Sequence, residues 1–268
     1  MKIFISADIE GVTTITRWEE SDPRSSFYPI HADQMTNEVL AACEGAIAAG
    51  AEKIVVRDAH GPGCNLNPTR FPKQVTLVRG WSHCPEFMVE GIDGSFDAAM
   101  FIGYHSAAGR CGNPMSHTVS TRHTGVFING RRASEFMIYS WAAALYGVPT
   151  VFLSGDKMLC DDDAELHPAI SVVSVKDGIG GATYCRSIEE TIPEIRAKSE
   201  RSLRQDLNAA ITTLPEKFDV EIHFNDHNYT EKVSYFPDVR KTADNIISFS
   251  RNDYYEVLRT LMWLLNVA

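Results

Sequence analysis

The sequence predicts an α/β fold with a mainly parallel, doubly wound sheet flanked by helices, and a smaller α+β C-terminal subdomain. Apolar runs that begin at Lys2 and Lys53 have the length and composition of strands. Between them, the Ala-rich stretch from Met35 to Gly50 has the pattern of an amphipathic helix that ends at glycine. A crossover helix of this length between two strands implies that the strands are parallel.

The rest of the chain continues this alternation and then changes character. A polar segment up to about His31 is predicted to be a long loop. Further strands are predicted at residues 74–79, 97–104, 151–155, 170–176, 218–224 and 244–250. A hairpin that turns at Asn-Gly is predicted at residues 126–132. Helical segments are predicted at residues 134–146, 187–214 and 253–267. We therefore divide the chain into a metal-binding catalytic core, residues 1–186, and a smaller C-terminal subdomain, residues 187–268.

Composition excludes some classes of function. The 268 residues are 44% hydrophobic and 22% charged, with a formal net charge of −10. This charge argues against nucleic acid and anionic membranes as partners. The sequence shows no signal peptide and no apolar run of the ~18 residues that a membrane helix needs, so we expect a cytoplasmic protein. Six scattered cysteines without a C-x-x-C pair are expected to be reduced thiols that bind no metal.

Acidic and imidazole side chains follow three of the predicted strands. Asp8 and Glu10 come directly after the first strand, and alternation puts both on the same face. His60 follows the second strand and His105 the fourth, while Glu135 begins a helix. The carboxyl ends of parallel strands meet at one edge of a sheet, where α/β proteins bind ligands. We therefore expect these side chains to converge on one crevice.

Each of these residues also has an ordinary structural explanation. His60 precedes a glycine and could be a turn residue, and His105 could lie in the core without a function. Glu135 could simply stabilise its helix, because a negative charge in the first turn interacts favourably with the helix dipole. The repetition of a strand followed by a ligand favours a metal centre instead. A mixed set of carboxylates and imidazoles binds zinc or a similar divalent ion, and Asp58 is expected to orient His60 as a hydrogen-bond acceptor outside the metal shell.

Six sequence blocks occur together in one order over residues 1–156. They are Ser6-Ala7-Asp8-Ile9-Glu10-Gly11, Asp58-Ala59-His60, Gly103-Tyr104-His105, Met115-Ser116-His117, Ile128-Asn129 with Glu135, and Ser154-Gly155-Asp156. In order and spacing this set resembles the DppA-like D-aminopeptidase family of dizinc metallo-aminopeptidases.

The resemblance implies a function and a set of site residues. It implies two zinc ions per subunit and a zinc-dependent aminopeptidase that uses a metal-activated water to release the N-terminal residue, a D-amino acid such as D-Ala, from short peptides or amides. The implied metal ligands are Asp8, Glu10, His60, His105 and Glu135. Asp8 matches the bridging position and His117 the catalytic histidine. A homodecamer of two pentameric rings is implied as well.

Other functions stay open at this point. The same ligands could serve another dimetal amidohydrolase, or a phosphoesterase if Arg57, Arg110 or Arg122 contacted the phosphate. The crevice could instead belong to a non-catalytic protein that binds a metal or a peptide. Arg122 and His123 are weaker candidates for substrate contacts. The segment 13–31 and the region after residue 160 are expected to shape the substrate pocket, on which the choice between D and L residues depends.

Overall fold

The computed structural model describes residues 1–167 and 169–266, and it contains two sheets. The larger has the strand order β3-β2-β1-β4-β7-β8-β9, and all its neighbouring strands are parallel except the last pair. Its strands are β1 (Lys2–Ala7), β2 (Lys53–Asp58), β3 (Val75–Val78), β4 (Ala98–Tyr104), β7 (Thr150–Asp156), β8 (Ser171–Ile179) and β9 (Ala182–Cys185). The predicted fold class, an α/β fold with a mainly parallel sheet, is confirmed.

Helices and a second sheet cover the two faces of this sheet. The helices are α1 (Tyr28–Ala48), α2 (Glu135–Leu145), α3 (Lys157–Leu166), α4 (Ile188–Leu203), α5 (His227–Ser234) and α6 (Tyr254–Asn266). Along β1, Ile3 and Ile5 pack in one apolar core with α1 and α4, whereas Phe4 packs in another with α2 and α6. Both faces of the strand are therefore buried, as the near-continuous apolar run in the sequence requires.

The second sheet is antiparallel and has the order β11-β12-β10-β5-β6. Its strands are β5 (His123–Ile128), β6 (Arg131–Arg132), β10 (Phe218–Phe224), β11 (Arg240–Ala243) and β12 (Ile246–Arg251). The predicted hairpin is present, and both residues of its turn, Asn129 and Gly130, have positive φ angles. Because β10 pairs with β5, this sheet joins segments from both sides of residue 186. The division of the chain at that residue stays a prediction.

The structure differs from the sequence-based expectations at a few places. The first helix begins at Tyr28 and not at Met35, because Pro29 lies in its first turn, where a missing N–H costs nothing. Helix α3, which we did not predict, begins where the Asp156 carboxylate accepts a hydrogen bond from Leu159 N. Val267, at the end of the predicted terminal helix, lies outside the described residues. Within the described residues, no helix combines the length and apolar character needed to span a bilayer.

The strand order reverses between β1 and β4, and in sheets of this kind a crevice forms outside the carboxyl ends of the two strands at such a point. Two glycines let the strand ends approach closely there, and Gly11 N donates a 2.8 Å hydrogen bond to Gly103 O. A Cβ on Gly11 would lie 1.7 Å from Tyr104 O, and one on Gly103 would lie 2.3 Å from Asp8 O. These glycines therefore fix the spacing between Asp8 and the segment that carries His105.

We expect Gly103→Ala to destabilise the protein by on the order of 3 kcal/mol or more, because the new methyl group meets backbone and the residue has a φ of +71°. Urea unfolding of the metal-free protein would measure the loss. Gly181→Ala is the matched control, since a Cβ there meets nothing within 4 Å. An equal effect of the two substitutions would contradict this account.

Candidate metal centre

The five predicted ligands come from four segments and meet at the carboxyl end of the larger sheet. They lie after β1, after β2, at the end of β4 and at the start of α2, and they are Asp8, Glu10, His60, His105 and Glu135. His60 Nδ1 is 3.0 Å from Glu10 Oε2, and His105 Nε2 is 3.5 Å from both Asp8 Oδ2 and Glu135 Oε2. All but His60 are almost fully buried. The expected convergence of these side chains on one crevice is therefore present in the structure.

Two atoms of this cluster are buried without a hydrogen-bond partner, Asp8 Oδ2 and His105 Nε2. An unpaired buried polar group costs about 1–3 kcal/mol, so the cluster lacks a group that would satisfy them. Two overlapping sets of three have ligand atoms within 4.8 Å of one another: Asp8, Glu10 and His105, and His105, His117 and Glu135. Carboxylate oxygens and imidazole nitrogens are zinc ligands, and two overlapping sets suit a dinuclear centre. The residues present therefore fit the metal that the resemblance implies.

Main-chain carbonyl oxygens fix the orientation of the three histidine rings. His60 Nε2 lies 3.1 Å from Ser21 O, His105 Nδ1 lies 3.0 Å from Ser106 O, and His117 Nδ1 lies 2.9 Å from Met115 O. Each of these nitrogens must carry the hydrogen, because a carbonyl oxygen only accepts. The other nitrogen of each ring faces the carboxylates, so its lone pair becomes available to a metal once that nitrogen is deprotonated.

Asp58 supports His60 indirectly and does not accept a hydrogen bond from its ring. The carboxylate of Asp58 accepts hydrogen bonds from Asn65 N and Leu66 N, and Asn65 Nδ2 in turn donates to His60 O at 2.7 Å. The expected acceptor role belongs to Ser21 O, on a segment that the sequence analysis treated as loop. A backbone acceptor leaves no side-chain signal, so the sequence could not identify it.

The charges in the cluster shift its pKa values in opposite directions. Burial and the neighbouring Glu10 carboxylate raise the pKa of Asp8 well above its usual value. Burial would raise that of Glu10 too, but the adjacent His60 lowers it. Burial lowers the pKa of His105, yet the Glu135 carboxylate outweighs this and raises it to about 10. For His60 the carboxylates of Glu10 and Asp8 similarly outweigh burial and raise the pKa well above 6.5. Without a metal, these histidines hold protons at neutral pH.

We therefore expect zinc binding at pH 7 to release about two protons from His60 and His105 of the metal-free protein, and part of a third from Asp8, whose pKa is raised as well. Because their pKa values are raised, the apparent zinc affinity should fall as pH decreases, by about tenfold per pH unit for each proton displaced. Calorimetric titration with zinc in two buffers of different ionisation enthalpy measures the proton count. A binding enthalpy that does not depend on the buffer would contradict it.

His117 differs from the other two histidines. Burial and the positive charge on His105 lower its pKa below 6.5, so its imidazole is neutral near pH 7. Its ring stacks on that of His105 with centroids 4.3 Å apart, and its Nε2 is 3.5 Å from Glu135 Oε1. A neutral imidazole with one free nitrogen can accept and return a proton.

Buried side chains that the sequence analysis missed hold the loop that carries Glu10. Lys176 Nζ donates to both Glu10 O and Ile15 O at 2.5 Å, and Asn113 Nδ2 donates to Glu10 O at 2.9 Å. Glu38 accepts a hydrogen bond from Thr13 N on the same loop. A lysine in a strand and a glutamate in a helix gave no sign in the sequence that they reach this loop.

A cavity of about 390 Å³ opens onto the cluster. Acidic, imidazole, aromatic and small side chains line it: Asp8, Glu10, Trp18, Ala59, His60, Gly61, Trp81, Phe87, Met88, His117, Val119, Ser120, Thr121 and Glu135. Trp18 belongs to the segment 13–31, which we expected to shape the pocket. Its ring lies 5.2 Å from that of His117.

The basic residues that we considered as substrate contacts lie elsewhere. Arg57 is fully buried, Arg110 pairs with Asp162 at 2.8 Å, and the guanidinium of Arg122 lies over the ring of Tyr229. The ring of His123 is buried, and burial lowers its pKa to about 4. These four side chains are not among those that line the cavity.

Comparison with known proteins agrees with this geometry. The family model for D-aminopeptidases, peptidase family M55, matches residues 1–263. A D-aminopeptidase of Bacillus subtilis (strain 168) is 26% identical over 270 residues, which cover 100% of this chain and 98% of the relative. The solved structure of the Zn-dependent D-aminopeptidase DppA from Bacillus subtilis, a self-compartmentalizing protease, aligns with a TM-score of 0.92 and 26% identity over 98% of this chain and 96% of that one. With the family matched over nearly its whole length, the chain belongs to the D-aminopeptidase family, peptidase family M55, and is a metallo-aminopeptidase.

Proposed function

We propose that this enzyme holds two zinc ions and hydrolyses the bond after the N-terminal residue of short peptides or amides, with D-amino acids such as D-Ala favoured at that position. One observation carries the proposal: His117 lies beside a buried cluster of carboxylates and imidazoles that lines an open cavity. The zinc dependence and the name of the Bacillus subtilis relative support both the metal and the D preference.

In the proposed reaction, five residues would bind the metal ions and His117 would transfer the proton. Asp8, Glu10, His60, His105 and Glu135 would hold the zinc ions, which when bound would supply an activated water and polarise the scissile carbonyl. His117 Nε2 faces the cluster while Nδ1–H is held by Met115 O. It can therefore take a proton from the attacking water and deliver it to the departing amine. The main-chain acceptor keeps the ring in the tautomer that this transfer needs.

The lining of the cavity favours a peptide or an amide over a phosphate ester. A phosphoesterase stabilises the phosphoryl oxygens with lysine or arginine side chains. In the described part of the chain, no lysine or arginine lines this cavity.

The test uses paired substrates and paired protein preparations. D-Ala and L-Ala amides and dipeptides would be offered to metal-stripped protein and to protein reconstituted with zinc. We expect zinc-dependent release of D-Ala. Release from only the L substrates would discard the D preference and keep the aminopeptidase. No release from any substrate, with two zinc ions bound, would overturn the proposed substrates and favour a different amide or ester bond.

We propose in addition that the chain forms a homodecamer of two pentameric rings that encloses the active sites. The support is the resemblance in sequence and the self-compartmentalizing relative. Light scattering after size exclusion should give about ten times the chain mass of 29.8 kDa. A monomer or dimer would overturn this assembly. We also propose the cytoplasm as its location, which cell fractionation would test.

A further inference from the structure

Two aromatic rings form one side wall of the cavity. Trp81 and Phe87 stack with ring centroids 4.3 Å apart and planes within 20°, and both line the cavity. Trp81 Nε1 donates a 2.8 Å hydrogen bond to Gly61 O, the residue after His60. This pair, which we call the aromatic wall, is thereby joined to a metal-ligand segment.

The buried guanidinium of Arg57 contacts the aromatic wall. The guanidinium of Arg57 lies 3.8 Å from the centroid of the Trp81 ring, a cation–π contact, and the residue is fully buried. Its Nη1 donates to Gly80 O, next to Trp81, and its Nη2 forms an ion pair with Glu90 Oε2 at 3.8 Å. These two contacts fix the guanidinium beneath the indole and so restrict the position of the ring.

The backbone of the wall is strained as well. Phe87 has a φ of +43°, a region that aromatic residues rarely adopt. The next residue, Met88, is buried, and its carbonyl accepts a 2.6 Å hydrogen bond from Ser6 Oγ in β1. Residues held in such conformations cluster at ligand-binding sites, where the surrounding structure imposes them.

The wall and the proton donor are joined to different proposed ligands of the cluster. Trp81 is bonded to the His60 segment, whereas His117 contacts Glu135 and His105. In the proposed reaction His117 returns a proton to the departing amine, so the residue after the scissile bond lies toward His117. The N-terminal residue then lies toward His60 and the wall.

We propose that the aromatic wall binds the side chain of the substrate's N-terminal residue, so that among the N-terminal residues accepted there, D-Ala included, those with large apolar side chains are the better substrates. The inference rests on the proposed function, since it assigns the two sides of the cavity from the path of hydrolysis. A flat apolar surface of two stacked rings gains by covering aliphatic or aromatic carbon, and a methyl group reaches little of it.

The test varies the first and second residues of the substrate separately. In the reactive enantiomer, we expect kcat/KM to be about 10- to 100-fold higher for Leu-Ala amide than for Ala-Ala amide. Trp81→Ala and Phe87→Ala should each lower that ratio by about tenfold, and the conservative Trp81→Phe and Phe87→Leu by less. The control is Trp263→Ala, an exposed tryptophan on α6, which should leave the ratio unchanged.

Several outcomes would contradict the role of the aromatic wall. One is a ratio of kcat/KM for Leu-Ala amide to Ala-Ala amide near one in the wild-type enzyme. Another is a ratio that stays unchanged in both Trp81→Ala and Phe87→Ala. A change confined to Ala-Leu amide would place the wall on the other side of the scissile bond and overturn the assignment.

A binding measurement separates this inference from the proposed function. The amino alcohols D-leucinol and D-alaninol contain no bond to cleave, and calorimetry can compare their affinities for zinc-loaded protein. We expect about tenfold tighter binding of leucinol, lost in Trp81→Ala. Tighter binding of leucinol without hydrolysis of any peptide would support the role of the aromatic wall and reject the proposed peptide substrates. Hydrolysis without a preference for Leu-Ala amide and without tighter binding of leucinol would reject only the role of the wall.

Discussion

Replacing His117 with alanine should lower kcat by about 10²- to 10⁴-fold and leave the zinc content unchanged. The reason is that the neutral imidazole moves the proton, whereas Asp8, Glu10, His60, His105 and Glu135 hold the metal in the proposed centre. Steady-state kinetics on D-Ala amide and elemental analysis of the same preparation would measure the two quantities together.

The control for this substitution is His223→Ala on β10, which lies on the second sheet and pairs with Glu221. It should change neither quantity. If His117→Ala lost zinc along with activity, His117 would be a ligand, as its position with His105 and Glu135 allows. If activity survived with zinc in place, the general acid–base role would be wrong.

The second large effect concerns Glu10. Glu10→Ala should weaken zinc binding by at least about 100-fold and abolish measurable hydrolysis, because the carboxylate belongs to the ligand set with Asp8 and His105. It also removes the partner that lies 3.0 Å from His60 Nδ1. Competition with a chromophoric chelator gives the affinity independently of any activity assay.

Glu19→Ala is the matched control, since that glutamate is exposed and lies outside the cavity lining. Glu10→Gln keeps the shape and removes the charge, so it separates packing from metal binding. Unchanged zinc content and unchanged activity in Glu10→Ala would show that the metal centre has been assigned to the wrong residues.

The sequence revealed the cluster because parallel strands end at a common edge. The alternation of Asp8 and Glu10 and the recurrence of histidine after later strands were enough to expect a crevice with ligands. The order 3-2-1-4, which puts β4 beside β1 and so His105 beside Asp8, could not be read from the spacing. The role of Glu135 also depended on the resemblance, since an acid in the first turn of a helix is common.

The features of the site and the fold that we did not predict depend on tertiary contacts, which leave no local pattern in the sequence. Trp81 lies in an irregular segment and Phe87 begins a single 3₁₀ turn, so no periodicity placed them in the cavity. Lys176 looked like an ordinary strand residue, although it is fully buried and bonds the loop of Glu10. Pro29 favoured a loop when read alone, yet it sits in the first turn of α1.

The packing of α2 against α6 has a consequence for how the enzyme is synthesised. Helix α2, which carries Glu135, packs against α6, where Tyr254 donates a hydrogen bond to Ile138 O at 2.8 Å. The ribosome makes α6 well after every proposed metal-binding side chain has emerged. We therefore expect the nascent chain to remain without peptidase activity until α6 has been made and has packed against α2. Deleting α6 should likewise inactivate the enzyme without removing a proposed ligand.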